Sequence, residues 1–133
     1  MKSKKIIKYY WDEVYSKVEN IKKPSSFAKF CFKNYIDIKK NRKLLDIGCG
    51  DGRDTIFFSK KLYSTGIDKS KSAIDFLKKK YSKNKEIVFH RINLDYLHQS
   101  KLSKYDYIYI RFLFHAINLS SENKLFKHLK KLM

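Results

Sequence analysis

Lys43-Leu44-Leu45-Asp46-Ile47-Gly48-Cys49-Gly50-Asp51-Gly52-Arg53-Asp54 is the stretch that decides the fold. Its apolar run, Leu44 to Ile47, reads as a short buried strand, and a glycine-rich turn follows with no spacer. Helical periodicity begins near Asp54 and carries Ile56, Phe57 and Leu62, which predicts a helix over 53–62. Strand, glycine turn and helix start in immediate succession are how α/β proteins hold a nucleotide-like ligand. The chain has only four glycines; three lie in this turn, and the fourth, Gly66, falls in the next candidate ligand loop. Glycine is needed where φ must be positive or where backbone touches a ligand, so this distribution predicts one functional rim.

Spacing gives the second signal. Asp68 closes another short apolar stretch, Ser64-Thr65-Gly66-Ile67-Asp68, and lies 22 residues after Asp46. An acid about 20 residues beyond the glycine turn, at the tip of the second strand, can accept hydrogen bonds from a ribose diol. The dinucleotide fingerprint Gly-x-Gly-x-x-Gly would place glycine at position 53, but Arg53 stands there and the third glycine comes one residue early. Asp46, just before the turn, also points away from a pyrophosphate. An acidic strand end repels phosphate and can accept a hydrogen bond from an ammonium group.

Leu44-Leu45-Asp46-Ile47-Gly48-Cys49-Gly50-Asp51-Gly52, followed by Gly66-Ile67-Asp68-Lys69-Ser70, resembles motifs I and II of the class I S-adenosylmethionine-dependent methyltransferases. Tyr105-Asp106-Tyr107-Ile108-Tyr109-Ile110-Arg111, continuing to His115, is similar to the fourth-strand motif of that family. The resemblance implies S-adenosyl-L-methionine as cofactor and methyl transfer to an O, N or C nucleophile, on a small-molecule or sugar acceptor. Gly48 and Gly50 would let backbone approach the methionine part and ribose. Asp46 would receive the ammonium group and Asp68 the ribose hydroxyls. Cys49, Arg53, Lys69 and Arg111 complete the implied cofactor set. Asn93 and Leu94 would frame the adenine, with Asp95 the competing acid if that loop shifts. Arg111 could equally hold an anionic substrate or pair with a local carboxylate such as Asp46 or Asp51. His115 is the one general base the resemblance offers; the alternative is a structural histidine at a strand–helix junction. Trp11-Asp12-Glu13-Val14-Tyr15, followed by Pro24-Ser25-Ser26-Phe27-Ala28, is similar to methyltransferases encoded with bacterial surface-polysaccharide genes.

Size and composition bound the remaining possibilities. A chain of 133 residues is one domain, and with 43% hydrophobic and 16% aromatic residues it can bury a core. Arg111 interrupts the longest apolar stretch, so no segment is read as a membrane span. Two distant cysteines and four isolated histidines lack metal-ligand spacing, and a reduced, cytoplasmic chain is the default. The net charge of +18 invites a nucleic-acid partner. Against it, only Arg42, Arg53, Arg91 and Arg111 are arginines, and phosphate forks favour Arg over Lys. A solvated basic surface is therefore favoured, and an RNA-binding or RNA-methylating module stays as an alternative.

The elements follow in order. Residues 4–21 read as an amphipathic helix in which Tyr9, Tyr10 and Trp11 either pack in the core or form an aromatic lid. Ser25 is the expected N-cap of a second helix over 26–38, with Phe27, Cys31, Tyr35 and Ile38 along one face. These two helices make residues 1–40 an N-terminal cap. Strands are expected at 64–68, 86–90 and 105–110. A helix begins at Lys69 and Ser70 and buries Ala73, Ile74, Leu77 and Tyr81. Lys78-Lys79-Lys80 reads as its solvated face, and Ser120 as the cap of a last helix carrying Leu125, Leu129 and Leu132.

The fold class is therefore α/β, a Rossmann-like parallel sheet in order 3-2-1-4 with helices on both faces, joined by right-handed crossovers. The family's sheet has seven strands in the order 3-2-1-4-5-7-6. Four are found here, so the chain reads as C-terminally short, and strand four becomes an open edge able to self-associate. A truncated, non-catalytic cofactor-binding fragment is the companion expectation.

Overall fold

The structure, a computed structural model, describes residues 23–39, 41–102, 104–111 and 113–133. The helix expected over 4–21 and its aromatic trio lie outside the described residues. Four strands, β1 (Lys43–Ile47), β2 (Tyr63–Asp68), β3 (Ile87–Arg91) and β4 (Tyr107–Ile110), form one sheet in the order β3-β2-β1-β4. Every pairing is parallel, with Asp46 beside Gly66 on one side and Tyr109 on the other. The expected strand order and class therefore hold, and all four strands end at the same rim.

Alternation along β1 divides the core between two layers. Leu44 packs with Phe58, Leu62, Tyr109 and Ala28, under helices α1 (Ser26–Asn34) and α2 (Arg53–Ser59). Leu45 and Ile47 pack on the opposite side with Leu97, Leu125 and Leu132, from a 3-10 segment (Leu94–Gln99) and helix α4 (Leu119–Leu132). Helix α3 (Lys71–Lys80) buries Ala73, Ile74 and Leu77 and leaves Lys78, Lys79 and Lys80 exposed, as the charge run predicted.

Several boundaries differ from the sequence reading. Helix α1 stops at Asn34, and Tyr35 and Ile38 are exposed, so the buried face is Ala28, Cys31 and Phe32, not the Phe27–Ile38 stripe. Residues beyond Asn34 are drawn away from the helix, where the Asp37 amide donates to the Tyr107 hydroxyl at 2.8 Å. Helix α2 ends at Ser59, three residues before the predicted end, and β4 begins at Tyr107. Asn118, not Ser120, caps α4: its side chain accepts from the Ser121 amide at 2.8 Å.

Gly66 is the instructive correction. It lies inside β2, not in a ligand loop, and a Cβ there would sit 2.7 Å from the Phe89 ring and 3.0 Å from Cys49 Sγ. Register explains this, because Phe89 is its neighbour on β3. Glycine is required by packing at this position. Gly66→Ala should cost about 2 kcal/mol by overpacking, read as a lower urea midpoint with unchanged slope. A variant as stable as the parent would show that the Phe89 ring can turn aside.

Candidate functional site

The site is built on the rim where the strands end, the usual ligand edge of an open α/β sheet. Gly48, Gly50 and Gly52 all take positive φ, at 75°, 55° and 77°. This left-handed path is what the glycine-rich sequence makes cheap. It turns the chain from β1 into α2 within five residues, Gly48 to Gly52. The Gly48 and Cys49 amides both donate to the Ile67 carbonyl at 2.9 Å, which pins the turn against β2.

Asp68, at the tip of β2, braces the turn from the side. Its Oδ2 accepts from the Gly50 amide at 3.0 Å and its Oδ1 from the Ser70 amide at 2.9 Å. Burial raises its carboxyl above the usual range, against the lowering effect of those two hydrogen bonds. Each carboxylate oxygen keeps a lone pair for a further donor.

Asp46 is the most perturbed acid. It is 3% exposed, and desolvation, with Asp54 and Asp68 nearby, pushes its pKa up to about 7. The Thr55 hydroxyl, donating to Oδ2 at 2.7 Å, and the charge of Arg111 only partly offset this. A buried carboxyl in this state gains from any cation brought beside it.

The sequence reading missed Asp54. It is 4% exposed and gathers three segments. Its carboxylate accepts from the Ser25 amide at 2.7 Å, the Ser25 hydroxyl at 2.7 Å and the Tyr109 hydroxyl at 2.8 Å. Arg111 Nε lies 3.1 Å from Oδ2. Arg111 thus pairs with Asp54, and its charge also reaches Asp46. Ser25 does act as the expected N-cap, since its hydroxyl also accepts from the Ala28 amide at 3.1 Å. Tyr109, held against Asp54 and desolvated, has its phenol pKa raised far above the ordinary value. Beside this hub opens a cavity of about 810 Å³, lined by Lys23, Ser25, Phe27, Arg53 and Arg111 among others.

The remaining predicted residues fall as follows. Cys49 turns its thiol inward against Gly66 and the Phe89 layer, so only its backbone faces the turn, and burial raises its pKa well above normal. Lys69 is exposed, and its carbonyl accepts from Arg91 Nε at 3.1 Å. Asn93 is exposed and caps the 3-10 segment, its side-chain oxygen accepting from the Asp95 amide at 3.0 Å. Leu94 packs against the α4 side of the core. Asp95 accepts from the Ser121 hydroxyl at 2.5 Å, which ties this loop to helix α4. His115 lies in a 3-10 turn, Phe114–Ala116, is exposed, and does not line the 810 Å³ cavity.

Comparison with known proteins agrees with this geometry. Residues 45–133 match the model of a methyltransferase domain family, which is more than half of the chain. The chain belongs to that family, within the class I S-adenosylmethionine-dependent methyltransferases. No curated protein matches its sequence. PKMT2 from Rickettsia typhi, solved with S-adenosylhomocysteine, is 31% identical with a TM-score of 0.60, over 70% of this chain and 19% of that one. Phosphoethanolamine N-methyltransferase 1 from Haemonchus contortus is 14% identical with a TM-score of 0.73, over 97% of this chain and 29% of that one. A TehB-like methyltransferase from Corynebacterium glutamicum is 18% identical with a TM-score of 0.67, over 93% and 63%. The last two share the fold alone. The chain spans less than two thirds of the length of each of these proteins.

Proposed function

We propose that this chain binds S-adenosyl-L-methionine and transfers its methyl group to a small-molecule acceptor. The observation that carries the reading is the placement of two acids, the buried Asp46 and the half-buried Asp68, on either side of a left-handed glycine turn at one sheet rim. That donor set fits the cofactor. Asp46 would hold the ammonium group, Asp68 the ribose hydroxyls, and the Gly48–Gly50 backbone would lie along the methionine part. Asn93 and Leu94 would border the adenine, the Asn93 oxygen using its second lone pair.

The bound cofactor supplies an electrophilic methyl on a sulfonium, displaced in line by the acceptor's nucleophile. The protein's own contribution is proximity and alignment, which can account for several kcal/mol of barrier. His115 would serve as base only for an acceptor that must lose a proton. Isothermal titration of the chain with S-adenosylhomocysteine is the test. Saturable binding supports the reading, and a folded chain that gives no binding sinks it.

The state of Asp46 adds a pH signature. Without ligand it keeps its proton below about 7, whereas an adjacent ammonium favours the carboxylate. Binding at low pH must therefore expel a proton. Affinity for S-adenosylhomocysteine should rise about tenfold from pH 6 to pH 8 and flatten above. A flat profile over that range would remove Asp46 from the ammonium contact.

A further inference from the structure

Three cations from separate segments line the cavity beside Asp54: Lys23 ahead of α1, Arg53 at the start of α2, and Arg111 after β4. No acidic residue lines it among the described residues. Behind the wall Asp54 is buried and already accepts from Ser25, Tyr109 and Arg111. Its bonds hold Ser25 and Arg111 in place, so the wall is built before any ligand arrives. Pro24, Phe27 and Ile110 add apolar surface. The cavity therefore fits an anionic group attached to an organic body.

The cofactor does not satisfy this charge alone. Its methionine part carries one carboxylate and one ammonium, and Asp46 meets the second. A single carboxylate leaves an excess over three cations offset by Asp54. We propose that the cavity binds an anionic group, phosphate or carboxylate, carried by the methyl acceptor and held by Lys23, Arg53 and Arg111. The inference rests on the methyltransferase reading above and narrows its acceptor to anionic molecules.

The test uses the full chain saturated with S-adenosylhomocysteine and titrated with inorganic phosphate, then with acetate, at constant ionic strength, followed by amide NMR shifts. Saturable shifts at Ser26, Phe27 and Arg53 are expected, and the tighter of the two anions names the group. Lys23→Glu should weaken that anion by about fivefold or more, with S-adenosylhomocysteine affinity within about twofold. Arg53→Gln should weaken the anion similarly. Lys79→Glu, on the exposed face of α3, should leave it unchanged and so controls for the general basic field. Competition between phosphate and S-adenosylhomocysteine would overturn the proposal, since the cavity would then seat the cofactor's own carboxylate. Equal losses from Lys79→Glu and Lys23→Glu, or no saturable anion shift, would overturn it too, with the methyltransferase reading intact. Absence of S-adenosylhomocysteine binding by a folded chain would instead remove both.

Discussion

Asp54→Ala should lower the free energy of unfolding by about 3 kcal/mol, a large share of what a domain of this size has to lose. The carboxylate is 4% exposed, and the Arg111 side chain beside it is 23% exposed. Removing Asp54 takes a carboxylate away from the half-buried Arg111 guanidinium and strips the acceptor from the Tyr109 hydroxyl and from both Ser25 donors. Breaking such a hub costs far more than its bonds contribute net, because the buried Tyr109 and Ser25 donors lose an acceptor that water cannot easily replace. Asp54→Asn keeps the shape and one oxygen, and should fall between the two. Urea denaturation is the measurement. A loss under about 1 kcal/mol for Asp54→Ala would mean that Arg111 is balanced elsewhere and that the three segments are not tied through this residue.

Asp68→Ala should weaken S-adenosylhomocysteine binding about thirtyfold, or ~2 kcal/mol. The carboxylate would give two charge-assisted hydrogen bonds to the ribose, and it also fixes the Gly50 amide, so one change removes both contact and support. Isothermal titration at pH 8, with the urea midpoint measured alongside, separates the two contributions. Affinity within threefold of the parent, in a chain of unchanged stability, would take Asp68 out of the binding site. The substitution also relieves Asp46 of one neighbouring negative charge, so the pH midpoint of any residual binding should fall.

What could be read from the sequence was whatever is local. The apolar run 44–47, the glycines after it and the acid at position 68 are each recognisable within a few residues, and together they predict strand order and rim. The Asp54 hub was not readable, because its partners Ser25 and Tyr109 are 29 and 55 residues away and only the fold brings them together. In the sequence Asp54 reads only as the start of a helix. Gly66 failed for a related reason: in a sequence, a glycine spared for a neighbour's ring looks the same as one spared for a ligand. Where Ser120, Ser121 and Asn118 all stand near a helix start, chemistry alone does not choose the cap, and the Asn118 side chain takes the role. For Arg111 the sequence offers a carboxylate partner at the rim without singling out Asp54, since Asp46, Asp51 and Asp54 are equivalent neighbours until α2 turns Asp54 toward Tyr109.

The central position of β1 has a consequence for synthesis. Its partner β2 comes soon, with Lys43 beside Tyr63, but its other partner comes late, with Leu44 beside Tyr107. A nascent chain emerging from the ribosome would hold Lys43–Ile47 at an open edge, with Asp54 nearby while its partners Tyr109 and Arg111 are not yet made. Long-range parallel pairing is slow to close because the intervening chain must be ordered first. Sheet closure and neutralisation of Asp54 are thus one event that waits for β4, and until then the rim that is to hold a ligand has only one of its walls.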